Sequence, residues 1–356
     1  MSDKPLKVRE LLSGKRILVM GGTGFLGKVW WSMLLHHFPE VDHIYLVVRP
    51  KPSKGLDSES RFWKDVVPNG TLDPLREKYP GDAFEDFIRS KMTPIPGDVS
   101  KPFAGIPDAL RDELRGNVDV LVNAAGVVDF NPPLDDALKV NAFGMQSLIA
   151  LCKDLGNIRF MHTSTCYVAG DRTGQIYELP PKEFPFPKAE KLDVKHWDPE
   201  REIAESIDMV ENVRHRSNDA FRESHFLDTA RQNLIDKGEP ARGSALEDEL
   251  AKVRRNYEKK LLIEAGLERA KFWGWHNVYT YTKSIGEQVL ASSGLRFTIG
   301  RPAVIESALE YPKPGWNEGI NTSAPLIYMA YKGLVGFPAR SDCILDVIPV
   351  DQVAAG

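Results

Sequence analysis

The stretch Gly21-Gly22-Thr23-Gly24-Phe25-Leu26-Gly27 decides the fold, because three of its glycines follow the spacing Gly-x-Gly-x-x-Gly. The apolar run KRILVM at residues 15–20 precedes this stretch and predicts a buried strand. Apolar residues at helical spacing follow it through residues 25–38. A strand, a glycine turn and a helix in this order predict a dinucleotide-binding unit, in which the helix N-terminus offers free N–H groups to phosphates.

The three glycines of this spacing have separate steric tasks. Gly22 would permit the tight turn, Gly24 would let the backbone approach a pyrophosphate, and Gly27 would let the helix pack against the strand. A glycine turn without a ligand is the alternative, because such turns are common. The strand before the turn and the helix after it favour the nucleotide-binding interpretation.

The order of elements along the rest of the chain predicts an α/β fold. Apolar runs typical of buried strands recur at residues 43–48, 118–122, 158–161 and 296–300, and a further strand is expected just before Asp98. Residues 134–155 have a helical pattern. Strands that alternate with helices predict a Rossmann-type, doubly wound parallel sheet.

A charged stretch interrupts this alternation. A proline-rich loop at residues 178–188 leads into residues 198–271, which are rich in Glu, Lys, Arg, Ala and Leu. This composition predicts solvated helices, and we interpret the stretch as a helical insertion rather than a separate domain.

Composition and charge exclude several classes of protein. The 356 residues are 42% hydrophobic and 27% charged, with a formal net charge of -4, which indicates a globular chain without a nucleic-acid-binding arm. Cys152, Cys166 and Cys343 have neither disulfide nor zinc spacing, so we expect no metal and a reducing compartment such as the cytoplasm. Residues 2–5 do not resemble a signal peptide, and no run of about 18 apolar residues predicts a membrane span.

The end of the second strand indicates which nicotinamide cofactor binds. NAD-dependent enzymes usually have Asp or Glu there, whereas this chain has Arg49, followed by Lys51 and Lys54. A guanidinium suits the 2′-phosphate of NADPH, so we expect NADPH, with ordinary surface charges as the alternative. Further cofactor contacts are expected from Asp98, Val99, Ala124, Ala125 and Gly126, which follow the third and fourth strands.

Tyr279 and Lys283 have the four-residue spacing that places two side chains on one face of a helix. The ammonium of Lys283 would stabilise the phenolate of Tyr279 and hold the nicotinamide ribose, and the phenol would donate a proton to a carbonyl oxygen as hydride arrives. The spacing alone is weak evidence, because about one match is expected by chance. A second match, Tyr328 and Lys332, follows the sixth strand rather than preceding it, and we assign Tyr328 to packing.

A third catalytic group is expected where the fifth strand ends, in the segment 162–166 (HTSTC). Ser164 or Thr165 would donate a hydrogen bond to the substrate carbonyl, and strand alternation aims only one of them at the site. The β-propensity of hydroxyl residues is the alternative explanation. His162 and Cys166 are assigned to core packing, since no catalytic partner is visible for either.

Taken together, these segments resemble the fatty acyl-CoA reductase family, which is related to the reductase domains of carboxylic acid reductases. The segments in question are GGTGFLGKV at residues 21–29, IYLVVRPK at 44–51, GDVSKP at 97–102, VVDFNPPLDDALKVNAFG at 127–144, HTSTCYV at 162–168, VYTYTKSIGE at 278–287, GRPAVIESALEYPKPGW at 300–316 and DVIPVDQV at 346–353. The resemblance covers nearly the whole chain.

The resemblance implies one extended short-chain reductase domain over residues 1–356, with the helical insertion at about 198–271 and a small C-terminal substrate lobe. It implies NADPH-dependent reduction of a long-chain fatty acyl thioester, acyl-CoA or acyl-ACP, through an aldehyde to a fatty alcohol, and it is compatible with peripheral contact with a membrane. The family continues into a C-terminal region that helps to form the acyl pocket, and we expect that region to be missing after Gly356.

Two other functions stay open. A different extended short-chain enzyme, such as a sugar-nucleotide epimerase or reductase, would share the glycine turn, but Arg49 and the segment at residues 127–144 argue against it. A redox-sensing or scaffold protein would bind NADPH without catalysis. Such proteins often lose the Tyr–Lys pair, which this chain keeps.

Overall fold

The structure, a computed structural model, describes residues 6–184, 186–194, 197–319, 323–334, 336 and 344–356. The chain divides into two compact units. The first unit comprises Met1–Gly126, Gly144–Tyr167 and Ser293–Gly356, and the second comprises Val127–Phe143 and Val168–Ser292. Residues 2–5, Pro185 of the proline-rich loop and Cys343 lie outside the described residues.

A six-stranded parallel sheet forms the centre of the first unit. Its strands are β1 Arg16–Met20, β2 His43–Val48, β3 Met92–Pro96, β4 Val120–Asn123, β5 Arg159–Thr163 and β6 Phe297–Gly300. They lie in the order β3-β2-β1-β4-β5-β6, so the strand order reverses between β1 and β4. Doubly wound sheets bind dinucleotides at the carboxyl ends of the strands beside such a reversal. The Rossmann-type sheet predicted from the sequence is confirmed.

The central strands are apolar on both faces, as expected for a parallel sheet covered by helices on each side. In β1, the side chains of Ile17, Leu18 and Val19 are at most 2% exposed. Val19 is in register with Leu46 of β2 on one side and with Val122 of β4 on the other. This packing fixes the end of β1, from which the glycine turn starts.

The helices connect these strands and form most of the second unit. In chain order they are α1 Val8–Leu12, α2 Phe25–His37, α3 Ser58–Arg61, α4 Asp73–Lys78, α5 Asp82–Lys91, α6 Asp108–Leu114, α7 Leu134–Asn141, α8 Phe143–Asp154, α9 Ala189–Leu192, α10 Pro199–Ser217, α11 Glu223–Asp236, α12 Gly243–Trp273, α13 Val278–Ala291, α14 Ala324–Tyr331 and α15 Val350–Ala355. Residues 134–155 thus form two helices rather than one. The break falls at Ala142, where φ is -103° and ψ is -62°, away from regular helical values.

A small parallel pair of strands, β7 Val304–Glu306 and β8 Val347–Pro349, lies in the C-terminal part of the first unit. On α15, which directly follows β8, the carboxylate of Asp351 accepts hydrogen bonds from the backbone N–H groups of Leu309, Glu310 and Tyr311. Burial opposes ionisation, but these hydrogen bonds lower the pKa of Asp351 below its ordinary value. The carboxylate therefore fixes the loop that follows β7.

The insertion in the second unit consists of α10, α11 and α12. Asp198 starts α10 by accepting hydrogen bonds from the N–H groups of Glu200 and Arg201. The long helix α12 ends at Gly274, whose φ of 102° lies in the left-handed region that favours glycine. The helical character predicted for the charged stretch is therefore observed, with α12 extending to Trp273. Within the described residues, no helix has both the length and the apolar composition needed to cross a membrane.

Candidate active site

The glycine turn brings the ends of β1 and β4 into close contact. Gly21 has a φ of 76°, and a Cβ atom added to it would lie 2.4 Å from the nitrogen of Ala125. A Cβ atom on Gly27 would lie 2.4 Å from the carbonyl oxygen of Gly21. The helix therefore packs closely at Gly27, against the turn that directly follows β1 rather than against the strand itself. The left-handed residue of the tight turn, however, is Gly21 and not Gly22, whose added Cβ would instead meet the side chain of Leu46 at 2.1 Å.

The N-terminus of α2 follows this turn without a side-chain cap. Gly24 is the residue that precedes the helix, and within the described residues no side chain caps its first turn. The ring of Phe25 stacks on that of Trp316, with ring centroids 5.4 Å apart, and Leu26 packs in the same apolar cluster. The first turn of α2 therefore offers backbone N–H groups rather than the side chains of Phe25 and Leu26 to an anion, and Thr23 remains half-buried in the turn.

The basic residues after β2 differ in how they are paired. The side chain of Arg49 is 72% exposed, and its Nη1 lies 3.8 Å from Oδ2 of Asp98. Lys51 donates from Nζ to Oδ2 of Asp65 at 2.8 Å. The charge of Lys51 is therefore already matched by a carboxylate, whereas the exposed guanidinium of Arg49 is better placed to meet a phosphate.

Asp98, predicted to contact adenine, also organises its own loop after β3. Its Oδ1 accepts hydrogen bonds from the N–H group and the hydroxyl of Ser100, and its backbone N–H donates to the carbonyl of Ala104. Burial opposes ionisation of Asp98, while Ser100 and Arg49 lower its pKa. Val99 is half-buried beside it. The sequence-predicted position at the end of the third strand is thus observed.

Arg61 is a basic residue that the sequence patterns did not single out. It lies on α3, 12 residues after Arg49, and donates a hydrogen bond from Nη1 to the carbonyl oxygen of Arg49. Its side chain is only 16% exposed, and burial lowers its pKa; Asp65 opposes this shift and the charge of Arg49 adds to it. The fold thus gathers two guanidinium groups at the end of β2. In the sequence, the feature that indicates the helix of Arg61 is Asp57, which starts α3 by accepting a hydrogen bond from the N–H group of Ser60.

Helix α13 holds the predicted Tyr–Lys pair in the second unit. The side chain of Asn277 caps its start by accepting a hydrogen bond from the N–H group of Thr280 at 2.8 Å. The N–H group of Tyr279 donates to the carbonyl oxygen of Phe130 at 3.2 Å, and the two rings meet edge to face at 6.3 Å. Tyr279 is half-buried, whereas Lys283 is 5% exposed. Tyr279 is therefore partly exposed to solvent, and Lys283, one turn further along α13, is buried.

Lys283 has an unusual electrostatic environment. Burial lowers the pKa of its ammonium from 10.5 to about 8, and the charge of Glu287, one turn further along α13, opposes the shift. Glu287 is itself 3% exposed. With a pKa of about 8, this lysine is mostly charged at neutral pH and titrates just above it.

Ser164 and Thr165 follow β5 in the first unit and differ in their hydrogen bonds. The hydroxyl of Ser164 is buried and has no hydrogen-bond partner among the described residues. The Oγ1 of Thr165 accepts a hydrogen bond from the N–H group of Tyr167 at 3.3 Å, which leaves its own proton available for donation. The two halves of the predicted catalytic set belong to different units, with Tyr279 and Lys283 in the second.

The remaining sequence assignments have different outcomes. His162 is buried, and its Nδ1 lies 3.2 Å from Nδ2 of Asn123 at the end of β4, in agreement with a packing role. The packing role assigned to Tyr328 is wrong, because its side chain on α14 is 53% exposed and lies under the ammonium of Lys332. Tyr328 and Lys332 share one face of α14, and this spacing does not by itself require that face to be buried. No group of three side chains suited to bind a metal occurs in the described part of the chain.

Comparison with known proteins identifies relatives over nearly the whole chain. The sequence profile of the family described as male sterility protein matches residues 19–356. The chain is 30% identical over 352 residues to fatty acyl-CoA reductase 2, chloroplastic, of Arabidopsis thaliana, an alignment that covers 98% of this chain and 51% of that protein. It is 29% identical over 355 residues to alcohol-forming fatty acyl-CoA reductase of Simmondsia chinensis, with 97% of this chain and 63% of that protein covered. The resemblance drawn from the sequence segments is confirmed, and the chain spans between about half and two thirds of these relatives.

Two solved structures share the fold at lower sequence identity. The terminal R domain from the myxalamid PKS-NRPS biosynthetic pathway is 18% identical, with a TM-score of 0.53 over 96% of this chain and 61% of that one. A thiolation-reductase di-domain from an archaeal non-ribosomal peptide synthetase is 17% identical, with a TM-score of 0.52 over 97% of this chain and 66% of that one. These likenesses establish the fold and nothing further.

Proposed function

This chain belongs to the male sterility protein family, a family of NAD-binding domains, and we propose that it reduces a long-chain fatty acyl thioester with NADPH, through the aldehyde, to a fatty alcohol. The observation that supports this most is the alignment with fatty acyl-CoA reductases, one of them alcohol-forming, along nearly the whole chain. The Tyr279–Lys283 pair on a capped helix supplies the chemistry that such a reduction requires.

The fit of a nicotinamide dinucleotide rests on the glycine turn. Backbone atoms lie so close to Gly21 and Gly27 that neither position has room for a Cβ atom, which keeps the turn tight, and the uncapped first turn of α2 offers its N–H groups to a pyrophosphate. The guanidinium groups of Arg49 and Arg61 support NADPH over NADH, because a 2′-phosphate would be attracted to both. Asp98 and Val99 would lie near the adenine, and Ala124, Ala125 and Gly126 would line the flat side of the cofactor.

The reaction needs hydride, protons and a polarised carbonyl. NADPH, when bound, supplies the hydride. In the first reduction a thioester, NADPH and a proton give an aldehyde, a free thiol and NADP⁺. In the second, the aldehyde, NADPH and a proton give the alcohol and NADP⁺. Negative charge develops on the carbonyl oxygen as hydride arrives, and the phenol of Tyr279 donates a proton to that oxygen.

Lys283 supports Tyr279 in this step. Its ammonium favours the phenolate that remains once the proton has left, and it would hold the ribose of a bound nicotinamide cofactor. Because burial lowers the pKa of Lys283 to about 8, the ammonium is charged at neutral pH but becomes neutral above it. The charge needed for catalysis is therefore present in the physiological range.

Between the two hydroxyl candidates, Thr165 is the better donor to the carbonyl. Its oxygen is oriented by the N–H group of Tyr167, and its proton is left for the substrate. The hydroxyl of Ser164 is buried and has no partner in the described chain, so no hydrogen bond orients it toward a substrate. A comparison of Thr165→Val with Ser164→Ala tests this choice: we expect turnover to fall on the order of 10-fold or more only for the threonine variant. The opposite order would assign the role to Ser164.

The acyl carrier and the location of the protein are further proposals. Coenzyme A and acyl carrier protein present the same thioester, so we propose that either serves as carrier. A long acyl chain partitions into bilayers, and we propose that the protein acts in the cytoplasm and contacts membranes peripherally. Co-sedimentation with phospholipid vesicles that contain the alcohol product would test this, and absence of binding would argue against membrane contact.

The experiment that tests the function is NADPH oxidation with palmitoyl-CoA and with hexadecanal, followed by identification of the products. The proposal expects hexadecanol and free coenzyme A, with two NADPH consumed for each thioester. Consumption of NADPH with a nucleotide sugar and not with a thioester would instead identify a sugar-nucleotide enzyme. Tight NADPH binding without oxidation on any thioester or aldehyde would indicate a binding protein.

A further inference from the structure

A carboxylate in the insertion is buried against the back of the active-site helix. Glu202 on α10 is 2% exposed. Its two oxygens accept hydrogen bonds from Nε and Nη2 of Arg269, at 2.7 and 2.6 Å, and from Nε1 of Trp273 at 2.9 Å. The hydroxyl of Tyr281 donates to the same carboxylate. Four donors from two helices therefore converge on one buried charge, which has a cation paired with it.

Tyr281 connects this cluster to the catalytic helix. It lies on α13 midway in sequence between Tyr279 and Lys283, and its side chain is fully buried. At about 100° per residue, its side chain points roughly 200° away from that of Tyr279. Its hydroxyl also lies 2.9 Å from Oγ of Ser206 on α10. The catalytic pair thus occupies one face of α13, and Tyr281 holds the opposite face.

The phenol of Tyr281 is a donor and not a second catalytic acid. Burial, and then the charge of Glu202, raise its pKa well above the ordinary value, so the hydroxyl stays protonated. A third face of α13 is held separately, where Nδ2 of Asn141 on α7 donates to Oγ1 of Thr282 at 3.0 Å. Helix α13 is therefore fixed by directional polar contacts as well as by apolar packing.

We propose that Glu202 and Tyr281 are positioning residues of the reductase: through their hydrogen bond, the insertion sets the rotation and height of α13 and hence the placement of Tyr279 and Lys283. This inference rests on the proposed function for its kinetic consequence. Apolar packing alone tolerates small rotations of a helix, whereas a buried hydrogen-bonded charge accepts few geometries. The insertion then serves the catalytic step directly, in addition to any part in substrate choice.

The chain offers a matched control at the far end of the same insertion. Glu249 on α12 is 8% exposed and accepts hydrogen bonds from Asn233 at 2.9 Å and from Lys237 at 3.0 Å. None of its described partners lies on α13. Loss of this carboxylate disturbs a buried polar cluster of the insertion without touching the catalytic helix.

The test compares Tyr281→Phe, Glu202→Gln and Glu249→Gln with the wild-type protein. Steady-state kinetics with hexadecanal gives kcat and the KM for NADPH, and hydrogen exchange with mass spectrometry gives the protection of residues 278–291. We expect Tyr281→Phe to lower kcat on the order of 10-fold with an unchanged KM for NADPH, and to raise exchange in α13. Glu202→Gln keeps an oxygen that can accept from Tyr281, so it should retain more turnover than Tyr281→Phe. Glu249→Gln should raise exchange only in α11 and α12, with kcat unchanged.

The outcomes separate positioning from stability. If Tyr281→Phe left both kcat and the protection of α13 at wild-type values, the proposal would be wrong. It would also be wrong if Glu249→Gln lowered kcat as much as Tyr281→Phe, because general destabilisation of the insertion would then explain both. If the wild type reduced no thioester or aldehyde, the proposed function would fail, and the exchange of α13 would still decide whether Glu202 and Tyr281 hold that helix.

Discussion

The glycine turn and helix α13 are both expected to serve the same reaction, but the chain builds them in opposite ways. The turn is seven consecutive residues. A Cβ atom on Gly27 would meet backbone atoms of the turn itself, whereas one on Gly21 would meet backbone atoms of Ala124 and Ala125. Helix α13 is held by side chains distant in sequence, with Asn141 separated by 141 residues from Thr282 and Glu202 by 79 from Tyr281. The close packing at Gly27 is therefore specified within the turn, and the helix depends on the assembled second unit. Predictions that disturb one or the other test this contrast.

The largest effect is expected at the catalytic face of α13. Tyr279→Phe removes only the hydroxyl, so the ring contact with Phe130 and the backbone hydrogen bond remain. We expect turnover to fall on the order of 10²-fold or more, because the developing charge on the carbonyl oxygen loses its proton donor. NADPH affinity, measured by fluorescence titration, should barely change.

Tyr328→Phe, at the exposed second Tyr–Lys match, is the control, and its turnover should stay close to that of the wild type. Wild-type turnover of Tyr279→Phe, with chemistry shown to be rate-limiting, would contradict the mechanism.

The next effect tests the local nature of the turn. Gly27→Ala places a Cβ atom 2.4 Å from the carbonyl oxygen of Gly21 and 2.6 Å from Cα of Gly22, both of them backbone atoms that cannot move aside cheaply. Overpacking of this kind costs about 1–3 kcal/mol, and the turn must shift to relieve it. We expect a lower thermal midpoint and NADPH binding weakened on the order of 10-fold.

Gly300→Ala is the control for this substitution, since a Cβ atom there would meet nothing within 4 Å. Its thermal midpoint should stay close to that of the wild type. Equal losses in the two variants would show that the turn has no special steric demand.

The same contrast explains how much the sequence could predict. The strands, the turn and the parallel sheet follow from patterns within about 15 residues, and the structure agrees with them. The residue that takes the left-handed conformation, Gly21, lies just outside the Gly-x-Gly-x-x-Gly spacing, so that spacing assigned the turn to the wrong glycine. The exposure of Tyr328 depends on which elements cover α14, which no local pattern reports.

Arg61 and Glu202 show what local patterns miss in a site. Arg61 reaches Arg49 only because α3 folds back on the end of β2. Glu202 reads as one more charge in a charged stretch, although it is 2% exposed in the structure. In both cases the proposed role rests on a contact between residues that are distant in the sequence. Composition alone predicts such charged side chains to be solvated.

A further effect is expected for cofactor choice, at the two guanidinium groups beyond the turn. Arg49→Asp replaces attraction to the 2′-phosphate by repulsion, and we expect it to weaken NADPH on the order of 10- to 100-fold more than NADH. Arg61→Ala should shift the preference in the same direction by less, since Arg61 also supports the backbone at Arg49. Titration of each variant with both cofactors measures the ratio of NADPH affinity to NADH affinity.

Lys153→Asp, an equal change of charge on the exposed surface of α8, should leave this ratio unchanged. Equal affinity of the wild type for the two cofactors would refute the assignment.

The smallest expected effect is a pH dependence, in which the stability of the protein and its turnover change in opposite directions. The folded pKa of Lys283 is about 8, lowered by burial from 10.5. Between these values the unfolded chain binds more protons than the folded one, so this lysine makes the protein more stable as pH rises through that window. Turnover should change in the opposite direction, because the ammonium that supports Tyr279 is lost as pH rises through about 8. Profiles of kcat/KM and of thermal midpoint from about pH 6 to about pH 10 measure both trends.

Glu287→Gln removes the charge that opposes the lowering of the Lys283 pKa, so the alkaline limb of kcat/KM should move to lower pH. Lys283→Arg keeps its charge over the whole range and should move the limb to higher pH or abolish it. If neither variant moved the limb, a group other than Lys283 would control it, and the assignment of a buried, titrating lysine to the catalytic step would have to be abandoned.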